Sequence, residues 1–203
     1  MSNRVGALVV ISVLAASAAL AAQPAALPTI NDSMTKVLSV NAQTIWDISS
    51  HAFNKRGDGL VAAKVTAKDW AQIADAGRQM QERGLLLAKT PRALVVAGPG
   101  EQVMGADAAH GGLKKGTWDA ASARQIKALI DANPALFTKR ATILATAGSD
   151  LVKASKTRNV KVLYRVSSEL DEVCDGCHQP FWGTDEPPPM SKALAASLPT
   201  LKR

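Results

Sequence analysis

The chain has only two cysteines, and both stand in the run Cys174-Asp175-Gly176-Cys177-His178. C-x-x-C-H is the arrangement that attaches a c-type haem. Two thiols add across the two haem vinyl groups and fix the porphyrin through thioether bonds. The histidine beside the second cysteine reaches the iron from one side. In a helix, Cys174 and His178 lie four residues apart and share a face. One turn then sets both a porphyrin edge and an axial ligand. Two other readings of the motif are weaker. A thioredoxin-type redox pair needs a βαβ context, and the sequence shows none. A structural zinc site needs about four ligands, and there is no second Cys/His cluster.

Such a turn must be held by helices, and the composition favours them. The chain past its first residues is rich in Ala, Leu, Lys and Gln and poor in β-branched runs. Four apolar stripes at helical spacing can be followed. The first covers about Ile30 to Ala52 through Met34, Val37, Leu38, Asn41, Ile45 and Ile48. Thr29 is its cap, and Asp32 takes the reciprocal position of a capping box. The second covers about Ala67 to Lys89, with Thr66 as cap and Asp69 in the first turn. Its stripe includes Trp70, Ile73, Met80 and Leu87, and it contains Gly77 and Gly84. Those glycines weaken a helix unless something bulky approaches closely, either a haem or a neighbouring helix. The third starts near Trp118, capped by Thr117, with Ile126, Leu129 and Ile130 on its apolar face. Asn133-Pro134 splits it, and it resumes to about Lys156. The fourth covers about Val160 to Trp182 and carries the haem motif. Leu163, Tyr164, Val166, Leu170, Val173 and Cys174 face inward.

Residues 90–116 are punctuated by Pro91, Pro99 and six glycines, too often for a regular element. Ala93 to Ala97 suits a short extended piece. This insertion exceeds an ordinary helix connection. The fold expected is all-α: an antiparallel four-helix bundle with a covalently bound haem near the C-terminus. Residues 22–183 form that domain, interrupted at 90–116, and 184–203 are a Pro-rich tail.

Residues 1–21 read as a secretory signal peptide. One charge, Arg4, precedes an apolar run from Val5 to Leu20, and Ala19-Leu20-Ala21 offers an A-x-A cleavage signal. The run falls short of the ~20 residues a membrane span prefers, so cleavage is favoured over an uncleaved anchor. The expected location is the periplasm, with no stable membrane insertion after processing. Formal charge is +7, or +6 without Arg4. That balance suits acidic redox partner proteins. The basic residues are scattered and aromatics few, which argues against nucleic acid.

The motif's position brings in a resemblance. Ordinary small cytochromes c attach haem near the N-terminus, whereas here only the last part of the chain follows His178. A C-terminal C-x-x-C-H on the fourth helix resembles the class II cytochromes c, the cytochrome c-prime and cytochrome c-556 family. The likeness runs along nearly the whole chain past the leader. It rests on Ser33-Met34-Thr35-Lys36-Val37-Leu38 followed by Ile45-Trp46-Asp47, on Trp118-Asp119, and on Cys174 through Trp182. The insertion and the Pro-rich tail depart from the family pattern. The resemblance implies one haem c on Cys174 and Cys177, with His178 as an axial iron ligand. It implies that Met34 is the second axial ligand, as in the low-spin branch. On pattern alone a methionine on such a stripe is usually a core residue. Met80, Met104, His51, His110 and Met190 are the other donors. Met80 reads as core and His51 as a solvated histidine. Phe181 and Trp182 either pack on the haem edge or close the bundle. Arg158, Lys161 and Arg165 form a basic stripe, read as a solvated face or as propionate ligands. Many relatives of this type are homodimers.

The expected function is electron transfer by a mono-haem cytochrome, not catalysis. The alternative is a five-coordinate haem protein that binds nitric oxide or carbon monoxide. It follows if Met34 is only core. A peroxidase needs acid–base residues beside the iron, and no His/Arg pairing in the first two helices offers them.

Overall fold

A computed structural model describes residues 27–101, 103 and 122–182. The leader 1–21, Thr117, Trp118, Met104, His110, Met190 and the tail 184–203 lie outside the described residues, as does much of the 90–116 insertion. Among the described residues the chain is all-α. Five helices are seen and no strand, with one isolated antiparallel bridge between Phe53 and Leu60.

Helix α1 spans residues 30–52 in three parts. An α-helical start, Ile30–Asp32, runs into a π-helical segment, Ser33–Leu38, and then into α-helical Ser39–Ala52. Thr29 caps it as expected, its hydroxyl accepting from the Asp32 amide at 2.9 Å. Asp32 does not close the capping box. Its carboxylate pairs instead with Lys36, one turn on, at 2.5 Å. Helix α2 is Ala67–Lys89, closed at its start by a full capping box between Thr66 and Asp69. Helix α3 is Ala123–Ala132, and its capping box joins Ser122 to Gln125. The described helix begins at Ala123, because Ser122 is extended and supplies the cap, while the start expected near Trp118 lies outside the described residues. Ile126 and Ile130 are fully buried, but Leu129, expected on the same face, is exposed. Asn133-Pro134 does split the region, and α4 is Pro134–Thr157. Helix α5 is Val160–Trp182.

Two residues join α4 to α5. Arg158 is left-handed at φ 51°, and the Asn159 amide donates to the Ala154 carbonyl at 2.9 Å. This is a helix-ending turn of the αL kind, and it makes α5 run back along α4. Three pairs follow that register: Arg165 with Asp150, Gly176 with Arg140, and Phe181 with Phe137. Of the basic stripe, Arg158 and Lys161 are exposed, as a solvated face requires, and Arg165 departs from it. Arg158 forms the turn, and Arg165 is half-buried between Asp150 at 2.7 Å and Glu169 at 2.9 Å. Both stand at the far end of α5 from His178.

The tightest seam is α2 against α4. A Cβ on Gly77 would come within 2.8 Å of the Gly148 carbonyl oxygen, and one on Gly84 within 2.7 Å of the Ala145 nitrogen. One on Gly148 would meet the Gln81 nitrogen and Gly77 oxygen at 2.5 Å. The bulky neighbour at these glycines is therefore a helix backbone. Thr138 donates to the Ala88 carbonyl at 3.1 Å, which fixes the two helices antiparallel. Helix α1 runs antiparallel to α2 through Asn41 to Gln79 at 3.2 Å and Arg83 to Ser33 at 3.3 Å.

The first part of the insertion is ordered on this frame. Leu94 and Val96 are buried and Val95 is exposed, the alternation of an extended piece. The Val95 and Val96 carbonyls accept from the Ile30 and Asn31 amides, both at 2.9 Å. They satisfy donors that the first turn of α1 would otherwise leave open. Asn31 also donates to Glu101 at 2.8 Å, which fastens this strap across the start of α1.

Candidate functional site

The motif lies within α5, one turn from its described end. Cys174 and Cys177 are not joined to each other and pack against the core. His178 is half-buried, with the Trp182 ring edge-on at 5.7 Å. Phe181 is buried and meets Phe137 of α4 edge-on at 5.2 Å. Of the two readings for these aromatics, Phe181 closes the packing of α5 on α4. Trp182 instead attends His178.

Burial pushes both thiols up to about 12. At Cys174 the carboxylates of Asp171 and Asp175 add to the rise, as does Cys177. At Cys177 the Arg140 guanidinium pulls the other way. The thiolate is the reactive form of cysteine, and burial in the packed turn disfavours that form.

The placement of Met34 follows from two ties between α1 and α5. Trp46 donates to the Ser167 carbonyl at 3.2 Å, and Phe53 meets Tyr164 edge-on at 6.1 Å. The pairing of 53 with 164 and of 46 with 167 makes the helices antiparallel. Met34 is twelve residues before Trp46, and His178 eleven residues after Ser167. At a rise of about 1.5 Å per residue, both stand roughly 17 Å from the tie in one direction. They are therefore level. On α5, Tyr164, Ser167, Asp171, Cys174 and His178 recur at spacings of three and four, so they form one stripe. Its first two members face α1. Met34 is half-buried and packs on the core. Its carbonyl accepts the π-type bond from the Ser39 amide.

Of the other donors, Met80 and His51 stand elsewhere in the fold, while Met104, His110 and Met190 lie outside the described residues. Met80 is fully buried in the core, as expected. His51 is exposed beside Asp69, 3.7 Å away, at the opposite end of α1 from Met34. Trp70 is buried in the core, and Trp46 is the half-buried tie to α5.

Arg140 was not foreseen from sequence. It lies 36 residues before Gly176, and nothing in the α4 pattern distinguishes it from a solvated arginine. The guanidinium nevertheless rests over the motif's glycine.

Whether these residues fit a haem can be judged from their surroundings. Buried polar atoms are almost always paired. Arg140 Nε, Gln179 Oε1 and Trp182 Nε1 are buried without a hydrogen-bond partner, and all three border the motif. Two thiols and an imidazole on one helical face, with unfilled polar atoms around them, fit a covalently held group. No group of three or more His, Cys, Asp or Glu residues able to hold a metal is found among the described residues. An axial haem site needs none, since the porphyrin supplies the equatorial ligands. No described helix is long and apolar enough to cross a membrane. In comparisons with known proteins the chain matches no family model, no curated protein and no solved structure.

Proposed function

We propose that this chain is an exported mono-haem c-type cytochrome that carries electrons in the periplasm, built as a class II cytochrome c. Helices α1, α2, α4 and α5 make an antiparallel four-helix bundle, and α3 braces it. Cys174 and Cys177 would hold one haem c, and His178 and Met34 would bind its iron. When bound, the haem supplies a reversible ferric–ferrous couple. The chain's own part is to hold both ligands still. Trp182 fixes the ring plane of His178. The π turn and the strap from Leu94 to Glu101 fix the start of α1, and with it Met34. Burial of Leu38, Phe137 and Phe181 at this end keeps water away.

One observation carries the reading. Met34 and His178 are level on antiparallel helices, and both thiols stand in the same turn as the histidine. The test is made on the protein purified from an exporting host. Acid–acetone extraction should leave the haem on the chain, with a mass increase of one haem. Optical spectra in both oxidation states should show a six-coordinate low-spin centre. Haem that passes to the organic phase sinks the proposal. A five-coordinate spectrum moves the function to binding nitric oxide or carbon monoxide. Amino-terminal sequencing should begin at Ala22 or Gln23. An intact Met1 in the membrane fraction would replace the cleaved leader with an anchor.

A further inference from the structure

The guanidinium of Arg140 occupies an unusual seat. A Cβ on Gly176 would lie 2.9 Å from its Nη1 and 3.3 Å from its Cζ, so the side chain lies directly on the bare backbone between the two cysteines. Among the described residues no hydrogen bond or ion pair engages it, and its Nε is buried without a partner. The other arginine in this helix pair shows the contrast. Arg165, also half-buried, is gripped by Asp150 and Glu169. Among the described residues Arg140 therefore presents to the motif a cation that no carboxylate grips. Gly176 has its own explanation here. Glycine inside a helix costs about 1 kcal/mol relative to alanine, and at this position any side chain would push the guanidinium away.

We propose that Arg140, seated on Gly176, is a positioning residue for redox: a fixed cation behind Cys177 that raises the reduction potential of the haem held there. The inference rests on the haem reading above. Its physics is elementary. Reduction makes the centre one unit less positive, so a nearby cation favours the reduced form. Partial burial weakens the screening that would cancel this effect at an exposed site.

The experiment uses the full chain, exported and loaded, with the potential read by optical redox titration. Arg140→Met keeps bulk and loses the charge, and its potential should fall. Arg140→Lys keeps the charge and should restore most of the loss, which a purely structural role would not do. Gly176→Ala leaves composition of charge unchanged but displaces the guanidinium, and its potential should fall by less than that of Arg140→Met. The two substitutions should be non-additive, because they act on one contact. Thermal melts and haem retention are followed alongside, and Gly176→Ala carries the test if Arg140→Met does not fold. An unchanged potential in a folded Arg140→Met protein with haem retained overturns this inference alone. So does an Arg140→Lys protein shifted as far as Arg140→Met, or full additivity with Gly176→Ala. Loss of haem from the unsubstituted chain on acid–acetone extraction overturns the haem reading first, and is seen before any titration.

Discussion

Met34 and Met80 are both methionines on apolar helix stripes, yet only one stands level with His178. The distinction gives a direct test. Met34→Leu keeps volume and apolarity, so the fold should survive at a cost below about 1.5 kcal/mol. It removes the sulfur donor. The loaded variant should become high-spin, bind carbon monoxide faster when reduced, and shift to lower potential. Met80→Leu, deep in the core, should leave the spectrum as it was. If both variants keep a low-spin spectrum, Met34 is a core residue and a Met104 substitution is the next search for the ligand; a wild type that is already five-coordinate moves the function to gas binding. The motif itself was legible in sequence because its chemistry is local: two thiols and an imidazole within five residues. Arg140 was not. Its role comes from α4 lying against α5, and an arginine on an otherwise ordinary helix carries no mark of what it will face.

At the scale of elements, caps and periodicity located the helices closely. Thr29, Thr66 and Asn133-Pro134 mark real boundaries, since each offers an oxygen or a ring that the first turn requires. The π segment of α1 left no such mark. Beside it the Ser33 hydroxyl donates to the Thr29 carbonyl and the Thr35 hydroxyl to that of Asn31, both at 2.8 Å, bonds that also occur in the regular helices. The wider turn shifts the buried face, so Asn31 and Ser33 are buried while Met34 and Val37 are only half so. Caps also give a pH prediction. The Thr66 amide, donating to Asp69, holds that carboxyl below its ordinary 3.8, with the Thr66 hydroxyl and His51 adding to the effect. A lowered carboxyl contributes stability that is fully present above pH 3.8 and is lost as pH falls through the lowered value. Asp69→Asn should therefore melt below wild type at neutral pH, and the gap should close on acidification below about pH 3.8. A gap that persists unchanged to the lowest pH would assign the effect to shape rather than charge. Thr66→Ala should cost about 1 kcal/mol at neutral pH.

For the molecule as a whole, the glycine seam decides what can lie between α2 and α4. Gly77 and Gly84 had two readings in sequence, a haem or a helix as the close neighbour. A glycine is silent about which, because it reports only that space is needed. The backbone of α4 occupies that space at both positions, and Gly148 returns the contact from the other side. The wall formed by α2 and α4 is therefore closed, and the level shared by Met34 and His178 belongs to α1 and α5. Two effects of a Gly84→Ala substitution have opposite signs. Helix propensity alone would stabilise the chain by up to about 1 kcal/mol. Overpacking against the Ala145 nitrogen and the Ala141 oxygen costs about 1–3 kcal/mol, since both are backbone and cannot step aside. The second effect should win. The variant should melt lower, by roughly 2–4 °C for each kcal/mol in a domain of this size, while the haem spectrum stays unchanged. Gly148→Ala should behave alike, and the pair should be non-additive across the shared seam. A Gly84→Ala protein that melts higher than wild type would show that α2 and α4 do not meet this closely. A shifted spectrum with an unchanged melt would return the haem to the α2 face.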